Sequence, residues 1–378
     1  MNRIVERMYL YPTCKVVSGY SRSVIQDLNK GKYYFIPTLL CHQLDNLSEK
    51  SYIATKPRLV KEGNDLNKYL DFLIENDLIY VSESAIPFKN IELEYNYPHT
   101  ISNVIVCYKK SKDSNIFDKI IKELSILDGN SIQFFFEDFC SIPELTDMLQ
   151  ITESSYIDNI DIIMPYNTTL KEEEINELLC KSNSINRILI YDSPYAKINR
   201  IHESSIKVYI YTDSKISYLD DCGSMHPLFF TNNLPFFSEA QTYNTCLNRK
   251  LCIDAEGNIK NCPTMTRSFG NIKDKSLQEV IEISGFKDLW TINKDSIDVC
   301  KDCEFRYMCM DCRCFLKDTE NIHSQPAKCP YNPYICKWDG QEGYLSVEEC
   351  GVYTKETGFI PDIEKIEQLN KQIWGEDD

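Results

Sequence analysis

The sequence predicts an α/β chain of three successive parts: a small winged-helix-like front, a middle that alternates strand and helix, and a cysteine-rich close. Three observations carry that expectation. Short β-rich runs separated by turn residues precede two helical segments before residue 87. Five apolar runs then alternate with amphipathic segments between about residues 100 and 240. Eleven of the seventeen cysteines fall between Cys246 and Cys350.

A chain of 378 residues, 43% of them hydrophobic, is globular and long enough for two or three separate cores. Its net charge of −16 argues against nucleic-acid binding, because a phosphate backbone needs a basic footprint. The same charge gives no attraction to an anionic membrane. The opening MNRIVERMYLYP breaks every apolar run with a charge, so no signal-peptide core is expected, and no stretch reaches the length of a membrane span. A cytoplasmic, reducing location follows, where clustered thiols persist as metal ligands and rarely as disulfides.

Within residues 1–87, CKVVSGY, RSVIQDL and KYYFIP read as a three-stranded meander with turns at Gly19 and at Asn29-Lys30-Gly31. Pro37 suits the first turn of a helix over PTLLCHQLDNLS. DLNKYLDFLIENDLI is a second helix, with Leu66, Tyr69, Leu70, Phe72, Leu73 and Ile74 on its apolar side. IYVSES is a wing-like strand, and Pro87 closes the part. Across residues 100–240 the expected strands are ISNVIVCY, SIQFFFEDF, NIDIIMPY, RILIYDS and IKVYIYT, with helices such as NIFDKIIKELSIL and LKEEEINELLCKS between them. That alternation makes βαβ units and a parallel sheet, either a partial barrel or an open sheet. Residues 241–350 hold the cysteines, with SLQEVIEISGFKDLW as a helix joining two groups of them. Residues 351–378 close on a helix over IPDIEKIEQLNKQIW.

The cysteine spacing carries the chemistry. Cys246 is followed by ten residues, Gly257, four residues and Cys262. After a gap of 37 residues come Cys300, Cys303, Cys309 and Cys312, separated by two, five and two residues, and later Cys329. Thiolates this dense repel and oxidise unless something soft and positive holds them, as an iron–sulfur cluster or zinc does. A zinc ribbon needs two Cys-x2-Cys knuckles roughly 15–20 residues apart. Here the two pairs are five residues apart.

This pattern resembles the SPASM domain, in which a cysteine and Gly-x4-Cys precede Cys-x2-Cys-x5-Cys-x3-Cys and a last cysteine. The chain departs at one interval, with two residues between Cys309 and Cys312 in place of three. The resemblance implies two auxiliary [4Fe–4S] clusters. Cys246, Cys262 and Cys312 would hold the first, with Cys252 as its fourth ligand. Cys300, Cys303, Cys309 and Cys329 would hold the second. Structural zinc is the alternative. Cys314, Cys336 and Cys350 fall outside the pattern and read as buried thiols.

SPASM domains ride behind a radical SAM barrel, and the middle region has the size and alternation for one. The Cys-x3-Cys-x2-Cys triad of such barrels is missing, since the closest cysteines before residue 240, Cys14 and Cys41, are 27 apart. FFFEDF stands where the Gly-Gly-Glu-Pro-like element that cradles SAM would be. The middle is therefore expected to be a degenerate radical-SAM-like partial (β/α) barrel that binds no SAM and performs no radical SAM chemistry.

The front resembles the PqqD-like recognition element of ribosomal peptide maturases. That implies leader capture, with a leader strand added along Lys32, Tyr33, Tyr34, Phe35 and Ile36 and packed on Leu66, Tyr69, Leu70 and Leu73. Together, YPTCKVVSGYSRSVIQDL, Ile36-Pro37, KLCIDAEGNIKNCP, SFGNI and CKDCEFRYMC resemble the grasp-with-spasm peptide maturases. The resemblance implies an ATP-grasp ligase as partner and an accessory role in maturing a ribosomally synthesised, post-translationally modified peptide. A redox maturase that uses its clusters on the peptide, or a zinc-stabilised binding protein, are the alternatives. The five histidines show no ligand spacing, Glu172-Glu173-Glu174 reads as a helix start, and Asp220-Asp221-Cys222-Gly223 reads as a turn, with a ligand-binding loop at a barrel mouth as its alternative.

Overall fold

The computed structural model describes residues 7–48, 54–55, 64–82, 88–109, 114–155, 157–203 and 205–375. The chain forms two compact units. One comprises Met1–Tyr95, Met225–Thr245 and Ile292–Asp378; the other comprises Asn96–Ser224 and Cys246–Thr291.

The first unit opens with β1 (Arg7–Leu10), then β2 (Cys14–Val17), β3 (Ser23–Asp27) and β4 (Lys32–Ile36). The last three form an antiparallel meander in the order β2-β3-β4, so β4 is an edge. Asp27 builds its second turn. Its Oδ1 accepts from the amides of Asn29 and Lys30 at 3.1 and 3.0 Å, and Gly31 follows at a φ of 67°. Helices α1 (Thr38–Ser48) and α2 (Asn64–Glu75) cover the sheet, with Ile25, Ile36, Leu40, Leu70 and Leu73 in the shared core. The short β5 (Ala54–Thr55) and β6 (Ile79–Ser82) both pair antiparallel with β1 in a second small sheet. The wing-like strand expected at IYVSES is thus present at β6, but its partner is β1 and not the meander. Pro87 lies outside the described residues.

The second unit is built on an open sheet of eight strands. Its strands are β7 (Asn103–Tyr108), β8 (Ser131–Phe136), β9 (Asn159–Pro165), β10 (Ile185–Tyr191), β11 (Lys197–Arg200), β12 (Val208–Tyr211), β13 (Lys250–Ile253) and β14 (Ile259–Lys260). The order is β11-β12-β10-β9-β8-β7-β13-β14, with the edge strands β11 and β14 antiparallel to their neighbours and the rest parallel. All five expected strands are there. Helices α3 (Ser114–Ile126), α4 (Ile142–Leu149) and α5 (Glu172–Lys181) connect β7, β8, β9 and β10 in turn. Because each crossover advances one neighbour in the same direction, right-handed connections place these helices on one face.

Strand periodicity decides what each face carries. Val104, Val106, Phe134, Ile162, Ile188 and Leu251 belong to the core beneath the helices. Ile105, Cys107, Gln133, Phe135 and Cys252 alternate with them and point to the opposite face. The α4 start shows how local sequence sets these boundaries. Ser141 and Glu144 close a capping box, and Pro143 sits in the first turn, where its missing N–H has no partner to lose. No described helix is long and apolar enough to cross a membrane.

Candidate metal centres

In the second unit the sulfurs gather where the cysteine-rich segment joins the parallel sheet. β13 pairs with β7 in the register Cys252↔Ile105, so Lys250 and Cys252, two residues apart, share the face away from the helices. Gly257 turns the chain back. Its φ of 87° suits glycine, its amide donates to Asp254 O at 2.8 Å, and Asp254 Oδ1 accepts from the amides of Glu256 and Asn258. The hairpin returns β14 beside β13 and so delivers Cys262 to the same neighbourhood as Cys252.

Lys250 is 7% exposed, and its Nζ lies 3.6 Å from Cys246 Sγ. Burial pulls its ammonium toward the neutral form. The thiols of Cys246, Cys262, Cys222 and Cys252 oppose that and prevail, holding its pKa above the ordinary lysine value. A cation buried among sulfurs is favourable only if those sulfurs are anionic. Hydrogen bonding with Cys222, and then Lys250 and Thr264, hold the Cys262 thiol well below the ordinary range against its burial, and the same interaction with Cys262 pushes Cys222 up. The Thr264 hydroxyl lies 3.2 Å from Cys262 Sγ. Cys252 takes a different partner. Burial first, and then a hydrogen bond with Cys107, push its thiol up.

The first unit holds the second sulfur set. Cys300 opens a 3-10 turn over Cys300–Asp302, and the Cys303 amide donates to Cys300 O at 3.0 Å, which folds the Cys-x2-Cys pair back on itself. Cys303, Cys309 and Cys329 pack at the rim of one hydrophobic cluster centred on Phe305 and Met308. Lys294 is 5% exposed, with Nζ 3.9 Å from Cys300 Sγ and 3.5 Å from Asp311 Oδ1. As with Lys250, burial opposes its charge, while Cys300, Cys309, Asp311 and Cys329 hold it protonated. Burial pushes Cys300 up to about 12 and Cys309 up to about 11, with Lys294 pulling both down. Asp311 is itself held by Arg313 at 2.7 Å.

The residues fit iron–sulfur clusters. Each unit aims one buried ammonium at a group of cysteine sulfurs, and a cluster with thiolate ligands supplies the negative charge such a cation needs. Among the described residues no three Cys, His, Asp or Glu side chains converge as a single metal ion requires. Cys246, Cys252 and Cys262 belong to the second unit, and Cys300, Cys303, Cys309, Cys312 and Cys329 to the first. Cys222, Cys107, Lys250, Lys294 and Asp311 were not singled out as site residues from the sequence. No spacing in the sequence marks either lysine, and Lys294 stands six residues before Cys300.

The expected peptide-binding residues are divided in their use. Ile36, Leu70 and Leu73 are buried core. Tyr34 faces Phe72 of α2, with ring centroids 6.1 Å apart, and Tyr69 lies half-buried beside it. Tyr33 and Phe35 turn the other way, against Phe305 at 5.9 Å each, with the Arg22 guanidinium 3.6 Å over the Phe35 ring. Lys32 is exposed, and its carbonyl accepts from Asn232. Leu66 lies in α2, and its side chain is outside the described residues.

Residues 245–304 match the family model of SPASM, the iron–sulfur cluster-binding domain. Among solved structures, the crystal structure of Streptococcus suis SuiB bound to S-adenosylmethionine is similar at 11% identity, covering 84% of this chain and 98% of that chain, with a TM-score of 0.39. A second crystal structure of Streptococcus suis SuiB is similar at 9% identity over the same shares, with a TM-score of 0.38. No curated protein matches the chain.

Proposed function

We propose that this chain is a maturation factor for ribosomally synthesised, post-translationally modified peptides. It binds the leader of a precursor along β4 and presents the peptide to an ATP-grasp ligase, while two [4Fe–4S] clusters occupy its cysteine-rich part. The observation that carries this reading is the SPASM match over residues 245–304, together with two sulfur sets that each face a buried lysine. Bound clusters supply covalent crosslinks between distant segments and a capacity for electron transfer. The chain's own residues do the rest. Cys300, Cys303, Cys309 and Cys329 grip one cluster, and Lys294 offsets its charge. The edge of β4, which has no strand partner among the described residues, offers backbone groups to an added strand, and Tyr34, Tyr69 and Phe72 give that strand an aromatic floor.

Anaerobic purification, alone and with the candidate ligase and precursor, tests the reading. The expected result is about eight irons and eight sulfides per chain, little zinc, and co-elution with the precursor. Stoichiometric zinc without sulfide would overturn the cluster assignment. A chain that ignores the precursor would overturn the leader assignment. Incubation with SAM and dithionite should release no 5′-deoxyadenosine, because the cysteine triad that reductive cleavage requires is absent from the sequence. Catalytic release of that product would overturn the accessory role.

A further inference from the structure

We infer, on the iron–sulfur reading above, that Lys294 raises the reduction potential of the cluster gripped by Cys300, Cys303, Cys309 and Cys329. The ammonium that balances this cluster's charge thereby also sets how readily it takes up an electron.

The fold holds Lys294 at depth. It opens a 3-10 turn over Lys294–Ser296, and Asn293 just before it donates its side-chain amide to Gln241 O in the helix Leu234–Thr242. Asn244, buried just after that helix, donates to Ile292 O at 3.1 Å and also to Asp311 Oδ2. One side-chain amide therefore ties the approach to the turn to the carboxylate that Lys294 meets.

Three charged side chains are buried together here: Lys294, Asp311 and Arg313. Arg313 takes the carboxylate as a fork, with Nε 2.7 Å from Oδ2 and Nη2 donating to Oδ1 at 2.8 Å. Its Nη1 donates to the carbonyls of Ile322 and Ser324 at 2.9 and 2.8 Å, so the guanidinium is fixed in place. Lys294 stands off from the same carboxylate at 3.5 Å. Two buried cations thus share one buried anion, which leaves a unit of positive charge in excess. On its other side, 3.9 Å from Nζ, lies Cys300 Sγ. Pairing with Asp311 alone does not account for the lysine. Arg313 already satisfies that carboxylate, and a methionine would fill the space without the desolvation an ammonium costs. An anion on the sulfur side makes the ammonium favourable.

Charge close to a cluster, and hydrogen bonds to its sulfurs, shift its potential. Reduction adds one electron to the cluster, supplied in the test by dithionite. No bond forms or breaks, and Lys294 keeps its proton throughout. The cluster becomes more negative by one unit, and a buried cation a few ångströms away stabilises that form more than the oxidised one.

An EPR-monitored redox titration of anaerobically loaded parent, K294M, K294R and D311N tests this, with C300A identifying the cluster concerned by its absence. At the parental midpoint, K294M should show a ratio of reduced to oxidised cluster about tenfold lower, a shift of about −59 mV for one electron. K294R should stay near the parent. D311N, which removes the negative neighbour, should move the midpoint upward, and the other cluster should hold its potential in every variant. A parental midpoint in K294M with both clusters bound would overturn the inference, as would equal shifts in the two clusters. If K294M loads only one cluster, D311N decides, and a midpoint at or below the parental value would overturn it. A parent that binds no iron would overturn the cluster reading itself.

Discussion

Replacing Cys300 with alanine should strip the anaerobically loaded chain of about half its iron and sulfide, with a matching loss of absorbance near roughly 400 nm. Cys300 is the most buried member of the second sulfur set and the one nearest Lys294. The backbone is bent to place it. Val299 holds a φ of 66°, in a region that β-branched residues avoid, at a cost of order 1–3 kcal/mol. Such a conformation persists only where its surroundings enforce it, and here it starts the knuckle that brings Cys300 and Cys303 together. Without the Cys300 sulfur, Lys294 keeps Asp311 at 3.5 Å and loses the sulfur at 3.9 Å. Metal-binding free energy is folding free energy where ligands come from distant segments. The same variant should therefore melt at a lower temperature than the loaded parent. Iron, sulfide and absorbance equal to the parent would count decisively against Cys300 as a ligand.

How far the sequence reveals this architecture depends on how local each signal is. The parallel strands β7, β8, β9, β10 and β12 were legible because each is a short apolar run flanked by a helical pattern, and both signals lie within about 30 residues. The meander β2-β3-β4 was legible from its turn residues. β1 was not, because Arg7 and the charges before it hide a strand whose partner, β6, lies some 70 residues on. KLCI was read for its cysteine. It is also a strand, β13, whose partner β7 is nearly 150 residues earlier, a pairing no local pattern encodes.

The sites divide in the same way. Spacing singles out Cys300, Cys303 and Cys309 as candidate ligands because a knuckle is a local object, and Gly257 because a hairpin is one. Cys222 carries no spacing signal. Its place is set by tertiary contact, Tyr218 of the preceding turn donating to Gln133 Oε1 of β8 at 2.7 Å. Lys250 and Lys294 are obscured for a different reason. A lysine in a polar stretch reads as surface, and only tertiary packing shows that sulfur surrounds it.

Truncating Phe305 to alanine should destabilise the first unit by about 3–5 kcal/mol, the range for removing a buried phenyl ring. Phe305 is 2% exposed and lies inside the Cys-x5-Cys loop, where Met308 and Cys309 donate their amides to its carbonyl at 3.0 Å each. Its ring stands 5.0 Å from Phe230 and Tyr331 and 5.9 Å from Tyr33, Phe35 and Trp338. Two of those five rings belong to β4, so one side chain joins the cysteine knuckle to the meander edge. Next to it, Glu304 is fully buried, and its Oε1 accepts from Arg22 at 2.9 Å and from Tyr331 at 2.6 Å. A cavity at Phe305 would free Tyr331 to shift and so weaken the partners of a buried carboxylate, which places the expected loss toward the upper end of the range. Phe305→Leu refills most of the space and should cost less than about 1.5 kcal/mol. Urea unfolding followed by tryptophan fluorescence measures both, since Trp338 belongs to the cluster. A Phe305→Ala protein as stable as the parent would mean that the aromatic cluster does not hold the knuckle to β4. If the variant also binds the precursor leader less tightly while keeping its iron, the packing behind β4 shapes the edge where leader addition is proposed.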